Sequence, residues 1–201
     1  MEAINVRHCF SFGFLCILIA MPLPVCSANI TDANVTDSFV PSGWMGDGEL
    51  GGEYLILEMI SGSTGQLDID YKLTYREGPN RWAGVYWQNS ANNWGEFRGE
   101  DFSGCRCVRV RAKGHSGGEI VEFKFGGIEA VGRQFKDSFF VSTGRLRLNS
   151  DWNTYVIDVS DKDLSSVIGG FAVIMTGSAN EIIVIIDSVT YEMDAENCTS
   201  F

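Results

Sequence analysis

The stretch Trp82-Ala-Gly-Val-Tyr-Trp-Gln-Asn-Ser-Ala-Asn-Asn-Trp-Gly95 begins with the pattern of a β-strand. Successive residues of a strand point to opposite faces, so Trp82, Tyr86 and Gln88 fall on one face, and Val85 and Trp87 on the other. Both faces carry large side chains. The two faces can be equally buried only if the strand is central in its sheet.

The composition of this stretch is that of a sugar-binding surface. Its fourteen residues include three of the chain's five tryptophans and no charged residue. A pyranose presents a C–H face to a flat ring and hydroxyl groups to neutral amides, so tryptophan beside asparagine and glutamine suits it. The candidate stacking residues are Trp82, Tyr86, Trp87 and Trp94, and the candidate hydroxyl partners are Gln88, Asn92, Asn93, Arg109 and Glu122. The alternative is that the aromatics fill a core and the asparagines only form turns.

The rest of the chain also favours extended structure. Short runs rich in β-branched and aromatic residues alternate with turn residues, and the one helical candidate is a single turn at 161–165. The predicted strands cover residues 54–59, 67–75, 82–88, 105–112, 120–125, 146–148, 152–159, 171–176 and 182–192. The last of these is apolar at both parities, as in a strand that is covered on both sides. The pattern predicts an all-β fold, a two-sheet antiparallel β-sandwich of jelly-roll type.

Two of these strands can be given a register. With Val110 opposite Val121, apolar residues pair on one face, and Arg109 meets Glu122 on the other. The sequence therefore predicts a hairpin whose loop covers residues 113–118. Its polar face is a candidate floor of a groove, and the alternative is an ordinary solvated face.

Residues 1–28 have the pattern of a secretory signal peptide. An apolar run at 9–20 follows a short head that contains Arg7, and it ends in helix-breaking and small residues. An uncleaved membrane anchor is the alternative, although a spanning helix needs about twenty residues. Beyond it, we expect a flexible lead-in at 29–38, one domain at 39–193 and a tail at 194–201.

Secretion or display at the cell surface agrees with three glycosylation sequons, at Asn29, Asn34 and Asn197. The net charge of −11 argues against nucleic acid as a partner, and against an anionic membrane beyond the signal segment, because both need a basic surface. Neutral ligands and cations stay possible.

The cysteines beyond the signal segment are Cys105, Cys107 and Cys198. Cys105 and Cys107 share one strand face at a spacing that strains a direct bridge, so either one of them pairs with Cys198 or they stay free. Cys105 and Cys107 could add only His115 to a zinc site, which needs about four ligands. The sequence therefore argues against zinc.

Several short motifs, taken together and in order, resemble a known family. They are Gly43-Trp-Met-Gly-Asp47, Trp82-Ala-Gly-Val-Tyr-Trp-Gln88, Asn92-Asn-Trp-Gly95, Gly117-Gly-Glu-Ile-Val-Glu-Phe-Lys-Phe-Gly-Gly127, Lys136-Asp-Ser138, Trp152-Asn-Thr-Tyr-Val-Ile-Asp158, Asp163-Leu164, Gly169-Gly-Phe171 and Ile186-Asp-Ser-Val189. The family is that of the secreted β-jelly-roll modules related to galactose-binding-like domains and carbohydrate-binding modules. The resemblance implies a non-catalytic module that binds a glycan or a small polyol.

The resemblance also implies a structural calcium ion where the first strand region meets the last. By position, Asp47 and Asp187 are the candidate ligands, and Glu49 is a weaker third. Calcium takes about six to eight hard oxygen ligands, and backbone carbonyls of glycine-rich loops can complete such a shell.

Two other functions would use the same parts of the chain. A cell-surface structural or adhesion domain would use exposed Trp and Tyr as anchors for another protein. A glycoside hydrolase would need two carboxyl groups at a set separation, such as Glu96 with Glu122 or Glu100 with Asp101. Adjacent acids lie on opposite sides of an extended chain, and His115 in its glycine loop offers no Ser-His-Asp set. The sequence therefore favours binding without catalysis.

Overall fold

The computed structural model describes residues 32–62, 69–177 and 180–199. Their strands form two antiparallel sheets that pack face to face as a β-sandwich. The strands are β1 (Ala33–Asn34), β2 (Val40–Gly46), β3 (Leu55–Ser61), β4 (Ile69–Tyr75), β5 (Trp82–Gln88), β6 (Cys107–Gly114), β7 (Ile120–Gly126), β8 (Phe140–Ser142), β9 (Leu146–Arg147), β10 (Asn153–Asp158), β11 (Gly169–Thr176) and β12 (Ile182–Glu192). One α-helical turn, α1 (Val35–Ser38), follows β1, and 3-10 turns cover Asp47–Leu50 and Ala195–Cys198.

The first sheet has the strand order β10-β6-β12-β4-β3, with β1 added beside β12. The second sheet has the order β2-β5-β11-β7-β8, with β9 added beside β7. β12 lies in the middle of the first sheet, between β6 and β4. This position explains its apolar residues at both parities, because Ile186 is fully buried and Ile185 on the opposite face is only 9% exposed.

The core lies between the sheets and is built from alternate residues of each strand. β5 contributes Val85 and Trp87, β7 contributes Phe123 and β11 contributes Phe171. The ring centroids of Trp87 and Phe123 each lie 5.3 Å from that of Phe171. Burial of one such side chain contributes about 1.5–3 kcal/mol to stability. The core therefore determines which alternate residues of β5 face inward.

The predicted fold class is confirmed, and β5 and β12 have the predicted bounds. β2 is not among the strands predicted from the sequence. β2 is an edge strand that pairs with β5, and its register shifts between Pro41 and Gly43. An edge strand with an irregularity accommodates a proline that cannot donate to the ladder. The predicted helical turn at 161–165 is an irregular turn.

The predicted β6–β7 hairpin is also wrong. β6 pairs with β10 and β12 in the first sheet, and β7 pairs with β11, β8 and β9 in the second. The connection between them crosses from one sheet to the other through Gly117 and Gly118, both at positive φ. Both strands alternate apolar and polar residues, so many antiparallel partners satisfy the pattern equally well.

Both ends of the described chain are attached to the sandwich. Residues 32–38 belong to the fold and not to a flexible lead-in, because Val35 is fully buried and β1 pairs with β12. A disulfide between Cys107 and Cys198 ties the tail to β6, and Cys105 is free and buried. The predicted signal peptide and the sequon at Asn29 lie outside the described residues. Within those residues, no helix is long and apolar enough to span a membrane.

Candidate functional site

The second sheet turns one face toward the core and the other away from it. Because side chains alternate along a strand, the core positions Ala83, Val85 and Trp87 leave the intervening residues of β5 on the outward side. Neighbouring strands continue this surface, since Ile174 lies opposite both Gly84 and Glu122. The outer face is defined here by Met45, Trp82, Gly84, Glu122, Lys124, Ser142 and Ile174.

Trp82 is an exposed aromatic residue at one end of the outer face, with 38% of its surface accessible. Gly46 lies against its ring, because a Cβ atom on Gly46 would be 2.9 Å from both Cδ2 and Cε2, the atoms shared by the two rings of the indole. Gly46 has a φ of 60°, which glycine adopts without strain. The backbone of Gly46 therefore packs closely against the indole.

An apolar floor adjoins Trp82. A Cβ atom on Gly84 would lie 2.5 Å from Cδ1 of Ile174 and 3.1 Å from Cε of Met45, so these two side chains close over the glycine. Glu122 borders the floor, and its Oε1 accepts a hydrogen bond of 2.6 Å from Ser142 Oγ. The nearby Lys124 Nζ lies 3.6 Å from the same oxygen. The outer face thus places the partly buried Met45 and the largely buried Ile174 beside a carboxylate, a hydroxyl and an ammonium group.

Two of the predicted stacking residues cannot reach a ligand. Trp87 has no exposed surface and lies in the core, so its prediction as a platform is wrong. Tyr86 shares the outward parity of Trp82, but Trp94 packs on its ring at 6.1 Å, and its Oη donates a hydrogen bond to the Gly126 carbonyl. Tyr86 is 5% exposed and supports the site from below.

Two of the predicted hydroxyl partners are also buried. The Gln88 side chain accepts from Ser42 Oγ and donates to the Asn93 carbonyl, each at 3.0 Å. The Asn93 amide donates to the carbonyls of Asn89 and Phe97 and accepts from the N–H groups of Gly95 and Phe97. Their amides hold the loop after β5 in shape, so the prediction that they contact a ligand is wrong.

The remaining predicted residues separate into different places. Arg109 lies on the first sheet, opposite Val156 and Thr190. The prediction that it lies opposite Glu122 is therefore wrong. Asn92 and Trp94 lie in a cleft of about 510 Å³ at the β2 edge, together with Trp44 and Glu49. Trp44 was not among the stacking residues predicted from the sequence. Its position follows from the phase of β2, which puts Trp44 opposite Val85 and could not be read without recognising β2 as a strand.

The predicted calcium ligands are not brought together. Asp47 is fully buried, and its carboxylate accepts hydrogen bonds from Tyr75 Oη at 2.8 Å, Gly78 N at 3.0 Å and Asn80 N at 2.7 Å. Asp187 is bound to Arg111, with 2.5 Å between Oδ2 and Nη1.

Within the described ranges, no group of three or more His, Cys, Asp or Glu residues is arranged to hold a metal. Asp47, Asp187 and the exposed Glu49 therefore do not fit one calcium site. The carboxylates of Asp47 and Asp187 already accept hydrogen bonds from groups of the protein. Calcium binding stays a prediction of the family resemblance.

The carboxyl groups considered for catalysis have structural partners. Glu96 forms an ion pair with Arg133 and accepts a hydrogen bond from Trp94 N. Glu100 accepts from the Asn89 amide, and Asp101 accepts from Ser103 N in a local turn. These contacts give the acids roles in holding loops.

A buried carboxyl group, that of Asp137, anchors the loop at the opposite end of the second sheet from Trp82. It accepts hydrogen bonds from the backbone N–H groups of Ile128 and Ile168, at 2.7 and 2.5 Å, and of Gly169. Burial raises the pKa of Asp137 to about 6, against the lowering effect of these donors. The contacts join the chain after β7 to the start of β11.

Solved structures with this arrangement of sheets include two families of sugar-binding modules. A family 11 carbohydrate-binding module from Clostridium thermocellum, in complex with a β-1,3-1,4-mixed-linked tetrasaccharide, superposes with a TM-score of 0.55 at 13% identity, over 81% of this chain and 94% of that one. A family 30 carbohydrate-binding module gives 0.56 at 20% identity, over 83% and 90%. The fold is that of the carbohydrate-binding modules.

A further family 30 module, from a cellulosomal cellulase of Clostridium thermocellum, has a TM-score of 0.51 at 18% identity, over 82% of this chain and 95% of that one. At such identities the likeness concerns the fold alone. No protein-family model and no curated protein matches the sequence. The jelly-roll sandwich expected from the sequence motifs is thus shared with carbohydrate-binding modules of nearly the same length.

Proposed function

We propose that the chain is a non-catalytic, extracellular carbohydrate-binding module whose glycan lies along the outer face of the second sheet. The observation that carries the proposal is the exposed Trp82 indole, which packs against Gly46 on the same outer face as Met45 and Ile174. A rigid ring that is supported from behind loses little conformational freedom when a sugar stacks on it. The likeness in fold to carbohydrate-binding modules supports the same function.

The polar side of the outer face suits hydroxyl groups. Glu122 accepts hydrogen bonds, Lys124 donates them, and Ser142 can do both. The two charged side chains keep 30% and 28% of their surface accessible, so they stay hydrated and can exchange water for sugar hydroxyls. Because hydroxyl groups give up water to make such contacts, each adds only about 0.5–1.5 kcal/mol. We therefore expect dissociation constants roughly in the micromolar to millimolar range.

The experiment is an isothermal titration calorimetry measurement, in which the purified protein is titrated with soluble β-glucans and with oligosaccharides of xylan, mannan and galactan. Trp82→Ala is expected to weaken binding roughly two- to twelvefold, since stacking of this kind contributes about 0.5–1.5 kcal/mol. Phe97→Ala is the matched control. It removes an aromatic ring that is 63% exposed on the loop after β5, and this variant should bind like the wild type.

Equal affinity of the Trp82→Ala and wild-type proteins would refute the outer face as the binding site. Absence of binding to every glycan tested would leave a protein-binding, cell-surface adhesion domain as the better description. One observation favours that second candidate: Phe140, 54% exposed, lies on the same side of the second sheet as Trp82. Paired aromatic anchors are common in protein interfaces, and Phe140→Ala with Trp82→Ala would then abolish partner binding.

A further inference from the structure

We propose that the cleft at the β2 edge is a second ligand site, separate from the outer face, that takes a short neutral saccharide. The cleft has a volume of about 510 Å³, and Ser42, Trp44, Glu49, Leu55, Asn92 and Trp94 line it together with glycine backbone. Ligand sites of this size are common, since small-molecule pockets measure roughly 300–1,000 Å³. None of the residues that define the outer face lines the cleft.

Three separate elements meet at this cleft, which we call the edge cleft. Trp44 comes from β2, Glu49 from the 3-10 turn Asp47–Leu50, and Asn92 with Trp94 from the loop after β5. Trp44 has the parity of the core face of β2, but β2 is the outermost strand, so this indole is only partly buried. The cleft therefore opens at the side of the sandwich, where the second sheet ends.

The loop that carries Asn92 and Trp94 is fixed by the buried amides of Gln88 and Asn93. Asn92 N donates to Ser42 Oγ at 2.9 Å, and the same hydroxyl donates to Gln88 Oε1. Asn92 itself has a φ of 57°, a conformation that asparagine tolerates better than most residues. Trp94 is held edge to face with Tyr86 at an angle of 88°. The walls of the edge cleft are thus formed before any ligand arrives, which lowers the entropy cost of binding.

The chemistry of the lining selects the class of ligand. Lys, Arg and His are absent from the residues that line the edge cleft in the described part of the chain, so an anionic ligand would find no counter-charge. Two indoles supply apolar surface. The exposed side chains of Asn92 and Glu49 supply a neutral amide and a carboxylate acceptor for hydroxyl groups. The side-chain amide of Asn92 makes no hydrogen bond to any other described residue and is available to a ligand.

The five tryptophans of the chain allow each site to be observed separately. Trp82 reports on the outer face, Trp44 and Trp94 on the edge cleft, and Trp87 on the core. Trp152 reports on the first sheet, where Arg111 and Lys113 lie over its ring. The experiment is a titration of the ¹⁵N-labelled protein with cello-, xylo-, manno- and mixed-linked gluco-oligosaccharides, followed through the five indole N–H signals. Single tryptophan-to-phenylalanine variants assign the signals.

We expect the Trp44 and Trp94 signals to move together with one dissociation constant, while Trp87 and Trp152 stay unshifted. In Asn92→Gly, which keeps the positive φ but removes the amide, and in Glu49→Ala, that constant should rise roughly two- to twelvefold, because each variant loses one hydrogen bond of about 0.5–1.5 kcal/mol. The response of Trp82 should stay unchanged in both variants. Trp82→Ala is the matched control, since it should leave the edge-cleft constant unaltered.

The outcomes separate the second site from the proposed function. Movement of Trp82 alone, with Trp44 and Trp94 silent at every oligosaccharide, overturns the second site and leaves the outer-face proposal standing. Movement of all three signals with one constant that Trp82→Ala abolishes shows a single continuous site, which also overturns it. If a proline-rich peptide shifts Trp44 and Trp94 while no saccharide does, the edge cleft is a peptide groove and the saccharide assignment is wrong.

Discussion

Replacing Asp47 with alanine is expected to lower the free energy of unfolding by about 3–5 kcal/mol. Asp47 follows β2 and is fully buried, and it accepts hydrogen bonds from the Tyr75 hydroxyl and from Gly78 N and Asn80 N. A hydrogen bond to a charged group contributes about 1.5–3 kcal/mol, and a buried donor left unpaired costs about 1–3 kcal/mol. Asn80 is exposed and its N–H can turn to water, whereas the Tyr75 hydroxyl cannot, so the total falls below the sum of three full bonds.

Urea unfolding followed by tryptophan fluorescence measures this change. With a slope of about 1–3 kcal/mol per molar urea, the midpoint should fall by at least about 1 M. Asp151→Ala is the matched control, because this exposed carboxylate makes no hydrogen bond or ion pair with a described residue, and its effect should stay within about 0.5 kcal/mol. A loss below 1 kcal/mol for Asp47→Ala would refute the idea that this carboxylate holds the end of β2 to the turn after β4.

The Asp47 contribution should also depend on pH. Burial acts to raise the pKa of Asp47, but the hydrogen bonds from Asn80, Tyr75 and Gly78 together hold it below its ordinary value. A carboxyl group whose pKa is lowered by folding stabilises the protein above its unfolded-state pKa, and this stabilisation is lost as pH falls through the folded-state pKa. The difference between wild type and Asp47→Ala should therefore be full at pH 7 and shrink in acid.

Three further predictions concern other parts of the sandwich. Cys198→Ser should lower the free energy of unfolding by about 2–4 kcal/mol, because the Cys107–Cys198 disulfide closes a loop with a sequence separation of 91, and mass mapping of unreduced peptides should recover that pair. The Asp137 carboxyl should titrate near pH 6 when it is followed by ¹³C NMR. Because its pKa is raised by folding, the folded state binds more protons than the unfolded state, and Asp137 adds stability as pH falls from 7 toward 5. A titration midpoint below pH 4 would contradict this. Because Asp47 and Asp187 already accept protein donors, EDTA should leave the Tm unchanged, whereas a rise of several degrees with added calcium would confirm the calcium prediction of the family resemblance.

The fold was predictable wherever the residues of one segment were enough to predict its structure. The apolar run of β12 requires cover on both faces, and its place between β6 and β4 provides it. β2 could not be recognised, because the proline and glycines that argue against a strand are tolerated at a sheet edge with an irregular register. The partner of β6 could not be chosen either, since alternation fixes which face is apolar but not which of several apolar strands pairs with it.

The candidate site was predictable only in its parts. The composition of residues 82–95 pointed to aromatic and amide side chains, and alternation along β5 correctly separates Trp82 from Trp87. Alternation cannot tell whether Trp82 or Tyr86 is exposed, because both side chains point to the outward side of β5. Tyr86 is covered by Trp94 from its own loop and bonded to Gly126 at the end of β7. Exposure of one outward residue and burial of another thus depends on loops that arrive from elsewhere in the chain.

The position of the Trp82 ring depends on β2. Any residue larger than glycine at position 46 would place a Cβ 2.5 Å from the Trp82 carbonyl oxygen and 2.9 Å from the indole, so the ring would have to leave its present position. The residue that packs against the indole is therefore remote in sequence and has no side chain of its own. The aromatic and amide composition of residues 82–95 gives no sign of it. Gly46 meets the ring only because the pairing of β2 with β5 brings the two together.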